Sequence, residues 1–239
     1  MRRILFAGAL TLAIATVAAI APVVAADLPQ APPPAPRAPV FVPAPVYNWS
    51  GIYVGINGGY GFGSSDWSNA VLGSSGSFDL KGGLAGGTLG VNFQSGQFVY
   101  GIEGDFDWAD INGTSSSGLC SPAIGGSSCT TKNTWLGTIR GRAGFAADRV
   151  LFYGTAGGAF GEVQESGAGL STANFNRFGW TAGAGLEGAL TDNLTARIEY
   201  LYVDLGSGSC TLVCFGTTTN VSFKTSLVRA GLDFKFNGF

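Results

Sequence analysis

The sequence predicts an all-β chain, an eight-stranded antiparallel up-and-down transmembrane β-barrel. Three observations point to it. Gly supplies 39 of the 239 residues and aromatics 12%, whereas charged residues make up 12%, about half of the roughly 25% usual in globular domains. Eight segments alternate in character with period two, the signature of strands with two different faces. The connections between them are alternately tight and long, as in outer-membrane barrels, which have short turns at one end and longer loops at the other.

In chain order, residues 1–26, MRRILFAGALTLAIATVAAIAPVVAA, combine Arg2 and Arg3, an apolar stretch, Pro22 and a small-residue end. This pattern reads as a secretory signal peptide cleaved after Ala26, the alternative being a retained anchor helix. Cleavage would take the formal net charge from −2 to −4 by removing the two arginines. Such a balance argues against nucleic acid as a partner. Residues 27–47 begin DLPQAPPPAPRAPVFVPAPV. Proline at this density favours an extended conformation and cannot feed a ladder, so the segment is expected to be a periplasmic spacer, with cell-wall contact as the alternative role.

Residues 48–239 are assigned to the barrel. Its strands are expected at Ser50 to Gly63, Gly83 to Gln94, Gln97 to Asp110, Thr134 to Ala146, Val150 to Val163, Phe178 to Leu190, Leu194 to Gly206 and Val221 to Phe236. Each is long enough for a tilted span of about 9 to 11 residues, and no long unbroken apolar run after residue 26 offers a helical span. Ser95-Gly96, Ala147-Asp148-Arg149 and Thr191-Asp192-Asn193 are tight connections; residues 64–82, 111–133, 164–177 and 207–220 are long and rich in Gly, Ser and Thr. The even strand count places both termini on the tight-turn side, in the periplasm.

Parity within the strands separates lumen from lipid. In YGIEGDFDW, residues 100–108, Glu103, Asp105 and Asp107 alternate with Ile102, Phe106 and Trp108. The next strand turns Thr138, Arg140 and Arg142 one way and Trp135, Ile139, Ala143 and Phe145 the other. Glu187, Arg197, Glu199, Arg229, Asp233 and Lys235 complete the expected lumen charge network. A charge at the bilayer midplane costs on the order of 2–4 kcal/mol, which fixes the register. Trp108, Trp135, Trp180 and Tyr202 fall near the long-loop rim, and Phe93, Phe98, Phe145, Phe234 and Phe236 near the tight-turn rim, like two interfacial girdles. A soluble sandwich core would not give two such bands.

Four segments carry a family resemblance: NWSGIYVGINGGYGFG (Asn48 to Gly63), GWTAGAGLEGAL (Gly179 to Leu190), ARIEYLYVDLG (Ala196 to Gly206) and VRAGLDFKF (Val228 to Phe236). They resemble alphaproteobacterial opacity-like, RopB-type outer-membrane surface antigens of the porin family, similar in form to the OmpA membrane domain. The resemblance implies an aromatic C-terminal assembly signal read by the outer-membrane assembly machinery. Phe234 and Phe236 fit its alternation; Asn237-Gly238-Phe239 follows, with Phe239 out of phase.

Four cysteines in an exported chain are expected to be oxidised as local pairs, Cys120 with Cys129 and Cys210 with Cys214. A zinc site would need all four thiolates from two distant loops, because the chain has no histidine. The same lack removes Ser-His-Asp and HExxH chemistry, and no catalytic residue, cofactor or metal site is assigned. GAGLEG (Gly183 to Gly188) matches a dinucleotide fingerprint but opens no helix, and DFDWADING resembles a calcium loop whose third acid is out of step with the EF-hand pattern, leaving calcium at the rim through Asp107 and Asp110 as the alternative. The expected function is structural: a non-enzymatic outer-membrane barrel that contacts lipid and lipopolysaccharide and displays loops to a cell-surface or host partner. The alternatives are a small porin and a haem-binding or ligand-binding receptor using tyrosine.

Overall fold

The computed structural model describes residues 47–70, 73–117, 128–166, 173–210 and 219–236. The expected signal peptide, the spacer up to residue 46 and the Asn237-Gly238-Phe239 tail lie outside them. Eight strands follow in order: β1 (Gly51–Asn69), β2 (Gly73–Ser95), β3 (Phe98–Ser115), β4 (Cys129–Ala147), β5 (Val150–Ser166), β6 (Ala173–Ala189), β7 (Leu194–Cys210) and β8 (Thr219–Phe236). Each pairs antiparallel with its sequence neighbour, and β1 pairs with β8 from Ile52↔Phe236 to Asn69↔Thr219, closing the barrel. Closure removes the unpaired edges that an open sheet would present, a requirement in lipid, where no water can satisfy backbone groups.

Alternation sorts the side chains. On β1, Tyr53 and Asn57 are buried while Ile52, Val54, Ile56 and Tyr60 are exposed; on β3, Glu103, Asp105 and Asp107 are buried between exposed Tyr100, Ile102, Phe106 and Trp108. Such an exposed apolar belt would be a liability on a soluble surface and is the ordinary exterior of a membrane barrel. Its aromatics meet across strands: Phe106 stacks on Trp135 with centroids 5.6 Å apart, Trp180 lies 5.3 Å from Tyr202, and Phe98 meets Phe145 edge-on at 6.0 Å.

The strands are longer than the sequence pattern suggests. β2 runs for 23 residues and β1 for 19, so most of the expected long loop 64–82 is a hairpin of paired strand. Pairing likewise reaches into the other three expected long connections, as far as Ser115 and Cys129, Ser166 and Ala173, and Cys210 and Thr219. These extensions carry Ser, Asp and Asn where the outward apolar residues end, so alternation of hydrophobicity fades although backbone pairing continues. Inward residues such as Trp67 and Leu80, 0% and 1% exposed, pack the extensions from within. A register shift lies between Asn133 and Trp135, where Asn133 Nδ2 donates to the carbonyls of Trp135 (3.0 Å) and Glu162 (2.9 Å) and satisfies acceptors that the irregularity would strand.

Inward glycines set the lumen's capacity. A Cβ at Gly90 would stand 2.3 Å from Tyr53 Oη, whereas one at outward-facing Gly87 would meet nothing closer than 3.5 Å. Gly90→Ala should therefore lower barrel stability by about 1–3 kcal/mol through overpacking, with Gly87→Ala nearly neutral. Urea titration of the folded band in detergent reads both, and equal midpoints for the two variants would refute this account of the lumen.

Candidate functional site: the barrel lumen

Four arginines on three strands hold the middle of the lumen. Glu103 stands opposite Arg140 in the register of β3 with β4, and Arg140 reaches three acids: Glu103 at 2.5 Å, Asp105 at 2.6 Å and Glu199 at 2.9 Å. Arg229 on β8 spans Asp105 (2.8 Å), Asp107 (2.7 Å) and Glu199 (2.6 Å). Arg197 on β7 binds Glu103 at 2.5 Å and lies 3.4 Å from Asp233. Arg142 binds Glu187 at 2.6 Å and lies over the Tyr153 ring at 4.0 Å. These side chains are all buried. Charge-assisted, partly multivalent bonds of this kind hold ions that would otherwise be very costly to desolvate.

Neutral partners complete the set. Tyr53 Oη donates to Glu103 (2.7 Å) and accepts from Arg142 (3.0 Å); Thr138 donates to Asp105 (2.7 Å); Thr195 donates to Glu187 (2.6 Å); Tyr153 Oη donates to Glu199 (3.2 Å). Sequence reasoning did not assign Tyr53, Tyr153 or Thr195 to this cluster. Tyr153 shares the parity of Glu165 on β5 and Thr195 that of Arg197 and Glu199 on β7, whereas β1 carries no inward charge that would mark Tyr53. Lys235 faces inward but stands apart from the arginines, donating to the Asn48 carbonyl at the tight-turn mouth.

Above this layer, on the side of the longer connections, the lumen turns apolar. Leu80, Ile111, Leu136, Leu201, Phe223 and Leu227 form the centre of a buried cluster spread over six strands. Beyond it comes a second polar group that the sequence reading missed: Glu165 and Arg177 form a close ion pair, Arg177 also donates to the Val221 carbonyl (2.7 Å), and Trp67 Nε1 donates to Thr131 (3.0 Å). At the opposite end Trp49, Val99, Leu151 and Tyr153 form a smaller apolar cluster.

Several expectations resolve differently. Asp107 and Asp110 face opposite ways, Asp107 to Arg229 in the lumen and Asp110 to Lys132 on the outside (3.0 Å), so they form no calcium site. Alternate-face geometry separates any two strand residues three apart. Tyrosine ligation of haem finds no open position at Tyr53 or Tyr153, whose hydroxyls are engaged with carboxylates, and Tyr60, Tyr100 and Tyr200 face outward. Gly183 to Gly188 lie inside β6, where a Cβ at Gly185 would stand 2.6 Å from the Tyr153 ring, so this glycine run makes room for a lumen side chain. Of the cysteines, Cys129 is buried at the start of β4; Cys120, Cys214 and the Cys210 side chain lie outside the described residues. Phe234 and Phe236 face outward with ring centroids 5.2 Å apart, and Phe239 lies outside the described residues.

A closed barrel with an apolar exterior and a charged interior can be compared with known chains. The family described as outer membrane protein beta-barrel domain matches residues 10–236. The chain belongs to this family. Among relatives of this outer-membrane β-barrel protein, the 25 kDa outer-membrane immunogenic protein of Brucella abortus biovar 1 is 39% identical over 214 residues, covering 89% of this chain and 90% of the relative. The 22 kDa outer membrane protein of Rhizobium leguminosarum bv. viciae is 36% identical over 163 residues, covering 68% and 67%. The crystal structure of OprG from Pseudomonas aeruginosa is 13% identical with a TM-score of 0.45, covering 79% of this chain and 97% of that one.

The lumen geometry of this outer-membrane barrel makes a direct energetic expectation. Glu103→Gln and Arg140→Gln should each destabilise it by roughly 3–5 kcal/mol, because each leaves uncompensated buried charge. The double variant should cost less than the sum by about 0.5–3 kcal/mol of coupling. A simple charge exchange would not restore stability, since an arginine at position 103 would face Arg142 and Arg197. Strict additivity in denaturant titration would show that the two do not interact.

Proposed function

We propose that the chain is a structural surface protein that displays its longer connections outside the cell and does not form an open pore. Supporting this is the filling of the lumen: a cross-linked ion layer centred on Arg140 and Arg229 lies in series with the apolar layer of Leu136, Leu201 and Phe223. An eight-stranded barrel is narrow enough for side chains to occupy its interior, so a polar lumen need not be a channel. In this reading the signal peptide ends at Ala26, both termini lie in the periplasm, and the exterior contacts lipid and lipopolysaccharide. Phe234 and Phe236 present the assembly signal, and Cys120 with Cys129 and Cys210 with Cys214 tie the displayed connections. The relatives' designation as immunogenic agrees with loops exposed to a host or another cell-surface partner.

Purified barrel in a planar bilayer should give no reproducible, long-lived conductance; well-defined open channels would favour the small porin instead. Orientation has its own check. With labelled sites located by peptide mapping, Ser116→Cys and Ser207→Cys should react with an impermeant maleimide on intact cells and Asp148→Cys should not. The reverse pattern would invert the topology.

A further inference from the structure

The segment just before β1 does more than lead into the wall. At Gly51 the backbone has φ of 139°, a left-handed conformation that L side chains rarely adopt, and a Cβ there would stand 2.7 Å from the Phe236 carbonyl oxygen. This glycine turns the chain out of the wall, and residues 47–50 then contact each of the tight connections. Trp49 N donates to Gln94 Oε1 (2.7 Å), and Gln94 itself donates to the Gly96 carbonyl (2.8 Å) in the β2–β3 turn. Trp49 Nε1 donates to the Asp148 carbonyl (3.1 Å) and Tyr47 N to Asp148 Oδ1 (3.4 Å) in the β4–β5 turn. Tyr47 Oη donates to the Asp192 carbonyl (3.3 Å) in the β6–β7 turn. From the end of β8, Lys235 Nζ donates to the Asn48 carbonyl and lies 4.2 Å from the centroid of the Tyr47 ring.

The side chains fill the mouth. Trp49 is 1% exposed and Tyr47 7%, and their rings meet edge-on at 4.8 Å. They pack with Val99, Ala146, Leu151 and Tyr153, and Tyr153 is the residue whose hydroxyl reaches Glu199 in the ion layer. Asp148 supplies a second, independent mark. It is the only non-glycine residue with positive φ among those described, at 53°, and its carbonyl and Oδ1 both accept from this segment. A strained conformation is retained where surrounding contacts hold it.

We propose that Tyr47–Ser50 is a built-in plug that shuts the tight-turn mouth of the barrel and shields the base of the ion layer from water. Gly51 is its hinge, and Gln94, Asp148 and Lys235 are its tethers. The plug can be seated only when all three turns and the end of β8 are in place, so it also reports that the β1–β8 seam has closed. Burial, reinforced by Glu187 and Asp192, pushes the Tyr47 phenol up to about 12, and the neutral hydroxyl donates to the Asp192 carbonyl.

The test uses the full mature chain, folded in detergent, with a Val99→Cys reporter beneath Trp49. Reaction of the thiol at position 99 with a charged maleimide is followed by peptide mass, which separates it from the native cysteines. With the plug intact, labelling should be at least roughly tenfold slower than in the urea-unfolded chain, and adding Tyr47→Ala with Trp49→Ala should recover most of that factor while the folded band persists. Unchanged labelling in a folded double variant overturns the proposal. If that variant fails to fold, Gln94→Ala with Asp148→Ala removes the two side-chain acceptors of the plug, leaving the Asp148 carbonyl and Lys235 contacts, and should accelerate labelling in the same direction. Hydrogen exchange on the otherwise unaltered chain is decisive by itself: amides of residues 47–50 exchanging as fast as in the unfolded chain would also overturn it. None of these readouts depends on whether the lumen conducts.

Discussion

The structure depends on confining buried charge to one face of a closed wall. Lipid on the outside allows no ionised side chain at mid-depth, so every acid and base in the spanning part of the strands must point inward. Once inside, they must neutralise one another. Arg140 shows how strict this is: its guanidinium touches acids from β3 and β7 at once. Arg229 engages the same two strands from β8 and shares Asp105 and Glu199 with Arg140. A slip of one residue in any of these strands would expel the arginine or its acid into lipid. The ion layer thus specifies the register of the sheet, whatever its net contribution to stability, which for buried ion pairs is often small.

Fitting arginines and tyrosines into so narrow a cylinder needs space, and the inward glycines provide it. Gly55 lies where a Cβ would fall 1.9 Å from Asp233 Oδ1, and Gly86 where one would fall 2.2 Å from Asp107 Oδ1. The abundance of glycine is therefore tied to the size of the lumen residues: large side chains on one strand are matched by vacated positions on the next. Ordinary strand propensity disfavours glycine; here the closed hydrogen-bond ladder supports the backbone while packing decides the side chain.

Much of this was legible in the sequence because the wall imposes a two-sided code. Glu103, Asp105 and Asp107 against Ile102, Phe106 and Trp108 state the register of β3 without any structure, and Arg140 and Arg142 do the same for β4. Legibility ended where the code ends. Beyond the membrane belt the outward face of β1 and β2 becomes polar or small, so the hairpin around residues 64–82 reads as loop although its backbone remains paired and Trp67 and Leu80 still point inward. Glu165 and Arg177 give no sequence signal for the same reason, lying in strand extensions where the two-sided pattern has faded. Lys235 follows the inward parity of β8, but parity carries no information about depth. Only the position of Asn48 reveals that this lysine serves the mouth rather than the arginine layer.

The order of layers along the lumen has a physical logic. Buried ion pairs are strong only where water is kept away, since the effective dielectric sets their attraction. The apolar cluster around Leu136 and Phe223 excludes water on one side of the arginines, and Trp49, Val99 and Leu151 exclude it on the other. Tyr53 and Tyr153 sit at the lower boundary, each with a ring against Arg142 and a hydroxyl on an acid of the ion layer. An aromatic residue with a polar tip is suited to such a boundary, because one group can serve both environments. The dry layers make the charge pairing strong, and the paired charges in turn fix the strands whose inward Leu, Ile and Phe residues build the dry layers.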